Sequence, residues 1–155
     1  MFVLVVAVGL AIGWLVGSSN ATVAEVGSPA PDFTVELIEG ETFTLSETRG
    51  RPVVLNFWAS WCNPCREEIP DISAYAESHP DVSVIGVAVT DIEEDSRAFA
   101  EEIGAGYPLA LGTPEVEDAY PIFGLPNTVI IDEAGLITHI YEGIVDENVL
   151  IDLVG

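Results

Sequence analysis

Two cysteines three residues apart, Cys62 and Cys65, stand where one sequence pattern hands over to another, and they are the only cysteines in the chain. Ahead of them, Val53-Val54-Leu55-Asn56-Phe57-Trp58 is a nearly continuous apolar run of strand length. Such a run is expected of a central strand buried on both faces. Behind them, Ile69, Ile72, Tyr75 and Ala76 recur at helical spacing and predict a helix from about Asn63 to Ser78. Pro70 falls inside that helix and is expected to interrupt and kink it. A dithiol at a strand-to-helix junction points to thiol–disulfide chemistry, because the unpaired N–H groups and dipole of a helix N-terminus favour a thiolate.

The remaining chain alternates strand and helix patterns. Phe33 to Leu37 and Thr42 to Leu45 alternate with period two around Glu39-Gly40-Glu41, which predicts an N-terminal β-hairpin. Ser46 to Gly50 reads as a short helical turn or loop. Val82 to Val89 is a second buried strand. Asp95 to Ile103 is an amphipathic helix, with Phe99 and Ile103 inward and Glu93, Glu94, Glu101 and Glu102 outward. Tyr107 to Leu111 is a short strand, and Pro114 to Tyr120 is a short helix with proline near its start. Thr128 to Ile131 and Leu136 to Tyr141 form a second hairpin about Glu133-Ala134-Gly135. Asp146 can cap a last helix over residues 147–154. This order predicts an α/β domain over residues 32–155, with a central mixed β-sheet flanked by helices and an added N-terminal β-hairpin.

Residues 1–17 are apolar, and the first charge in the chain is Glu25. That uncharged stretch is about as long as the ~20 residues needed to span a bilayer. Residues 1–20 are therefore read as an N-terminal membrane anchor with Trp14 at the interface, as a cleaved signal segment, or as a buried helix. The first two place the domain outside the cytoplasm. Residues 21–31 read as a linker, and Asn20-Ala21-Thr22 is the single glycosylation sequon. The short final helix leaves open whether the chain continues.

The charge is extreme: 26 Asp plus Glu against four Arg and no Lys, a formal net of -22. Phosphate recognition needs clustered cations, so nucleic acid is not an expected partner. The acids are dispersed from Glu25 to Asp152, which describes a solvated surface rather than a disordered tail. Such self-repulsion is screened at molar salt, where the Debye length is about 3 Å. A high-salt habitat is the expectation, and an ordinary acidic extracytoplasmic protein is the alternative.

Four segments occur in order: Gly27-x-x-Ala30-Pro31-Asp32-Phe33, then Leu55-Asn56-Phe57-Trp58-Ala59-x-Trp61-Cys62-x-Pro64-Cys65-Arg66-x-Glu68-x-Pro70, then Gly124-Leu125-Pro126-x-Thr128, and the Ile131-Asp132 to Gly135 turn. Over residues 27–154 the chain resembles the thioredoxin superfamily, and within it the membrane-anchored TlpA/ResA-like thiol-disulfide oxidoreductases with a redoxin (AhpC/TSA-type) domain. The resemblance implies a protein-disulfide reductase using no cofactor beyond a Cys62–Cys65 disulfide. It implies a membrane thiol donor and protein thiol clients, with apocytochrome c as a candidate in cytochrome c maturation. Cys62 is then the exposed nucleophile, Cys65 the buried resolving thiol, and Asn63-Pro64 the dipeptide that tunes the potential. Leu125-Pro126 is expected to be cis, with Pro126 facing the cysteines and the Leu125 backbone free to pair with a client strand. Trp61 is expected at the rim of the client groove and Trp58 in the core. Glu68, one helical turn beyond Cys65, is the expected proton-handling carboxylate. Thioredoxin itself carries a buried Asp at the position of Asn56, and an amide there cannot titrate. Asn127 stands where the family pattern leads one to expect Thr or a small residue.

Other chemistries need other residues. A zinc site would need two more ligands, and only His79 and His139 offer ring nitrogens. A peroxiredoxin shares the Ala-Pro-Asp-Phe opening but places its cysteine in a Thr-x-x-Cys context, which Ser60-Trp61-Cys62 does not supply. A purely structural disulfide closing so short a loop would contribute little entropic stabilisation. A non-enzymatic metal or haem-handling carrier of the same fold is the alternative from a different class.

Overall fold

The computed structural model describes residues 23–155. The anchor-or-signal segment and the Asn20 sequon lie outside the described residues. Among the described residues, no helix is long and apolar enough to cross a membrane.

One seven-stranded mixed sheet organises the domain, in the order β2-β1-β5-β4-β3-β6-β7. β1 (Thr34–Leu37) and β2 (Thr42–Thr44) form the expected hairpin at one edge, followed by a 3-10 turn, Leu45–Thr48. β3 (Val53–Trp58) runs through the middle, and all six of its residues are buried. It pairs in parallel with β4 (Ser83–Ala88) and antiparallel with β6 (Asn127–Ile131). β5 (Leu109–Leu111) joins β4 to the hairpin, and β7 (Ile137–Glu142) closes the far edge. The thioredoxin-like architecture expected from the motif order is the one observed.

Among the described residues, four helices accompany the sheet: α1 (Asn63–Ser78), α2 (Glu93–Ile103), α3 (Pro114–Ala119) and α4 (Glu147–Val154). α1 continues through Pro70 to Ser78. A helix-interior proline forfeits one backbone hydrogen bond, but Ile69, Ile72 and Tyr75 stay buried on either side of it and hold the helix to the sheet. α2 begins two residues earlier than its apolar pattern indicates, because Glu93 and Glu94 suit the positive end of a helix. It ends at Gly104, which adopts the left-handed conformation (φ 59°) that favours glycine.

The core divides across the sheet. One layer gathers Phe33, Phe57, Val87 and Tyr120. The other gathers Trp58, both cysteines, Ile69, Tyr75, Phe99 and Val145. Trp58 is fully buried and stacks on Phe99 with ring centroids 5.0 Å apart. Gly86 on the neighbouring strand makes room for it, since a Cβ there would lie 2.6 Å from Leu109 Cδ2 and 3.1 Å from Trp58 Nε1. The stretch read as a linker lies against the domain from Ala24 onward: Ala24 N donates to Ala119 O, Gly27 N to Ile137 O, and Ala30 N to Gly135 O. Ala24 and Ala30 are buried by these contacts.

Candidate active site

β3 delivers the chain to Ala59-Ser60-Trp61, and α1 starts immediately afterwards. Cys62 is the N-cap residue of α1, and its Sγ accepts a hydrogen bond from Cys65 N at 3.2 Å. Pro64 falls in the first turn, where its missing N–H would have had no intrahelical partner. The two sulfurs form a disulfide (S–S 2.11 Å). Cys62 is 3% exposed and Cys65 0%. The predicted order of accessibility therefore holds, but the expectation of an exposed Cys62 does not: both sulfurs are packed with Ala59, Ile69 and Val145 in one core cluster. Asn63 and Pro64, between them, are exposed.

Glu68 projects from the buried face of α1 and is fully shielded from solvent. Its Oε1 accepts from Asn56 Nδ2 at 2.7 Å, and its Oε2 from Val145 N at 3.0 Å. Burial in a medium that solvates charge poorly pushes its pKa from 4.5 up to about 7, although the Val145 and Asn56 hydrogen bonds pull the other way. Asn56 Nδ2 also donates to Thr128 Oγ1 at 3.2 Å, while Asn56 Oδ1 is buried without a partner among the described residues. The Glu68 carboxyl thus ties α1 to the central strand and to the loop before α4, and Asn56 extends the network to Thr128 on the strand after Pro126. The part of Asn56 as a donor to Glu68 is not legible from its neutrality, and Thr128 and Val145 carry no sequence signal for this role. Asn56 and Thr128 meet only because β3 and β6 pair in that register.

The Leu125–Pro126 peptide is cis, as expected. Pro126 is buried, and Leu125 packs on the cluster that holds both cysteines. Among the described residues, neither the N–H nor the C=O of Leu125 has a backbone partner. Trp61 is 60% exposed, and its Nε1 donates to Thr90 O at 3.1 Å. Trp61 and Leu125 line one groove, which places both on a single surface. Trp61 is exposed on the wall of this groove, and Trp58 lies in the core as expected.

Asp91 is a residue that sequence reasoning passes over. Its Oδ2 accepts from Ser60 N (2.6 Å) and Ser96 Oγ (2.8 Å), and its Oδ1 from Ser60 Oγ (2.8 Å) and Ile92 N (2.9 Å). Partial burial raises its pKa, but the Ser60, Ser96 and Ile92 hydrogen bonds outweigh that and hold it below the usual carboxylate range. It pins the loop ahead of Cys62 to the start of α2. The histidines lie elsewhere. His79 caps the far end of α1 and stacks on Tyr75 at 4.1 Å, and His139 is exposed on β7.

A dithiol at a helix start, a carboxyl near neutrality one turn along, and an apolar groove are the parts needed for disulfide exchange. Residues 26–140 match the model of the AhpC/TSA family. The chain is 31% identical over 155 residues to the thiol-disulfide oxidoreductase ResA of Bacillus subtilis, covering 98% of this chain and 86% of that protein. It is 35% identical over 121 residues to the thioredoxin-like protein YneN of the same organism, covering 76% and 71% respectively. The crystal structure of a putative thiol:disulfide interchange protein DsbE from Chlorobium tepidum superimposes with a TM-score of 0.76 at 26% identity, over 85% of this chain and 99% of that one. The chain belongs to the AhpC/TSA family, and within it to the ResA-like thiol-disulfide oxidoreductases of thioredoxin-like fold.

Proposed function

We propose that the domain works on the extracytoplasmic side of a membrane as a protein-disulfide reductase, with Cys62 as nucleophile and Cys65 as resolving thiol. In the reduced protein the Cys62 thiolate attacks a client disulfide, forming a mixed disulfide and expelling one client thiolate. The Cys65 thiol gives up its proton, attacks Cys62 Sγ and releases the second client thiolate. Two electrons have then passed to the client, and the Cys62–Cys65 disulfide remains. Two electrons from a membrane thiol donor restore the dithiol.

The observation that carries this reading is Glu68: fully buried, one turn beyond Cys65, and with its pKa lifted to about 7. A carboxyl in that state can take the Cys65 proton at neutral pH, whereas an exposed one would already be ionised and a weak base. Pro126 and the unpaired Leu125 backbone supply a place for an extended client segment. Asn63 and Pro64 tune the potential. The apolar residues 1–20 support a membrane address, and the resemblance to ResA supports cytochrome c maturation, with apocytochrome c as client. The dispersed net charge of -22 supports a high-salt habitat.

The test is the reduction potential of the Cys62–Cys65 couple, together with Cys65→Ser to trap clients. A potential low enough to reduce protein disulfides, and mixed disulfides through Cys62, are expected. A Cys62 that captures no protein thiol would end the reading, and metal or haem bound stoichiometrically to the purified protein would favour the carrier.

A further inference from the structure

A groove of about 230 Å³ opens on the face that carries Trp61 and Leu125. Val89, Ile122 and Phe123 complete its apolar walls, and Glu117 is the one acidic residue in its lining. The volume falls short of the ~300–1,000 Å³ usual for sites that enclose drug-sized molecules, which leaves room for a single bulky side chain. Phe123 is 90% exposed and Trp61 60%. Every other aromatic side chain among the described residues is buried or half-buried, so the two that face water do so together. Paired exposed aromatics mark a surface that a partner covers.

The groove is built in advance. Thr90, a β-branched residue, is held at φ 50° in the left-handed region, which costs about 1–3 kcal/mol. Its carbonyl receives Trp61 Nε1, and its N–H donates to Glu117 Oε1 at 2.9 Å. The indole and the carboxylate are thereby set in place before any partner arrives.

Charge selects the partner. The chain has four cations, and none faces this groove. Arg49 reaches Ala134 O, Arg51 reaches Pro80 O and Asp81 O, Arg66 pairs with Glu102, and Arg97 pairs with Glu36 and Glu93. Glu117 also lines an adjoining hollow with Asp91 and Glu93. A second copy of this acidic chain would be repelled here, and a basic polypeptide would be drawn in.

Resting on the reading above that the dithiol reduces proteins, we propose that this groove selects client segments carrying both a bulky apolar side chain and a Lys or Arg beside the reacting cysteine. The apolar side chain enters between Trp61 and Phe123, and the cation meets Glu117.

Four short peptides test this, each with one cysteine in a mixed disulfide with glutathione, flanked by Phe and Lys, Phe and Glu, Ser and Lys, or Ser and Glu. The reduced full-length protein attacks the peptide sulfur through Cys62, expels glutathione thiolate, and frees the peptide thiol when Cys65 closes the disulfide. The Phe/Lys peptide should react fastest, roughly tenfold ahead of Ser/Glu at ~0.1 M salt. The Lys advantage should shrink in molar salt while the Phe advantage persists. Phe123→Ser should erase the Phe preference, and Glu117→Gln, which keeps an oxygen for Thr90 N–H, should erase the Lys preference. Equal rates for the four peptides would overturn the selectivity and leave the oxidoreductase standing. Failure to reduce any of them would overturn both.

Discussion

Asn56 Nδ2 donates a 2.7 Å hydrogen bond to Glu68 Oε1 in a part of the core that water does not reach. The bond favours the ionised carboxyl, and burial favours the neutral one. Their balance sets Glu68 near neutrality, where a small change in either moves the charge state.

Replacing Asn56 by Leu removes the donor and keeps the volume apolar. Glu68 is then left with only the Val145 N–H, and its pKa is expected to rise further, because the donor that favours the ionised form is gone while burial remains. Carbon-13 NMR of the carboxyl across a pH titration measures it. A fall or no change would show that the Asn56 bond does not stabilise the carboxylate.

Glu68 also makes stability depend on pH. Its folded pKa of about 7 lies above the 4.5 of an unshifted glutamate, so the folded state holds the proton more tightly. Stability is then unaffected below pH ~4.5, falls between there and ~7, and stays lowered above that, by about 3 kcal/mol at most. Glu68→Gln removes this dependence. Urea unfolding of the oxidised protein at pH 5 and pH 8 should show a smaller pH effect in the variant than in the parent.

The same substitution should act on the chemistry. With no carboxyl to take the Cys65 proton, resolution of the mixed disulfide by Glu68→Gln should slow by ~10²–10⁴-fold at neutral pH, the usual worth of a positioned general base. Formation of the mixed disulfide through Cys62 should be far less affected. Quenched-flow trapping separates the two steps, and equal slowing of both would assign Glu68 a merely structural part.

Asp91 holds the loop before Cys62 through Ser60. Asp91→Ala strips two bonds from Ser60, one from Ser96 and one from Ile92 N, and should cost ~2–4 kcal/mol in chemical denaturation. Because the folded pKa lies below 3.8, the parent keeps this contribution above that value and loses it as pH falls through the folded pKa. The gap between parent and variant should therefore close in strong acid.

The acidic surface predicts a salt response. With 26 acids against four cations, raising NaCl from ~0.05 M to ~2 M should increase the melting temperature through screening of self-repulsion. An insensitive or falling melting temperature would remove the high-salt reading.

Local pattern carried much of the fold. The six residues Val53–Trp58 are apolar but for Asn56, and the strand they form is buried throughout. The helix after Cys62 starts and stops where spacing places it. These features depend on residues close together in the chain, where periodicity and turn chemistry act, whereas the cis Leu125–Pro126 bond is implied only by the resemblance and is observed here. α1 runs through Pro70 over the span its apolar spacing predicts, because packing of Ile69, Ile72 and Tyr75 against the sheet outweighs the backbone hydrogen bond that a helix-interior proline forfeits.

What lay beyond the sequence depended on strands and loops meeting from far apart. That Glu68 is an internal carboxyl rather than a solvated one is decided by α1 lying over β3, with Asn56, Thr128 and Val145 around it. The shielding of Cys62, the strained Thr90 behind Trp61 and the pinning of Ser60 by Asp91 are likewise products of packing. The sequence by itself determined the sheet's central strand, the dithiol and its position at a helix start, since these follow from neighbouring residues. The tertiary structure decided the protonation of the carboxyl beside that dithiol, because a pKa is set by burial and by partners that only the completed fold brings together.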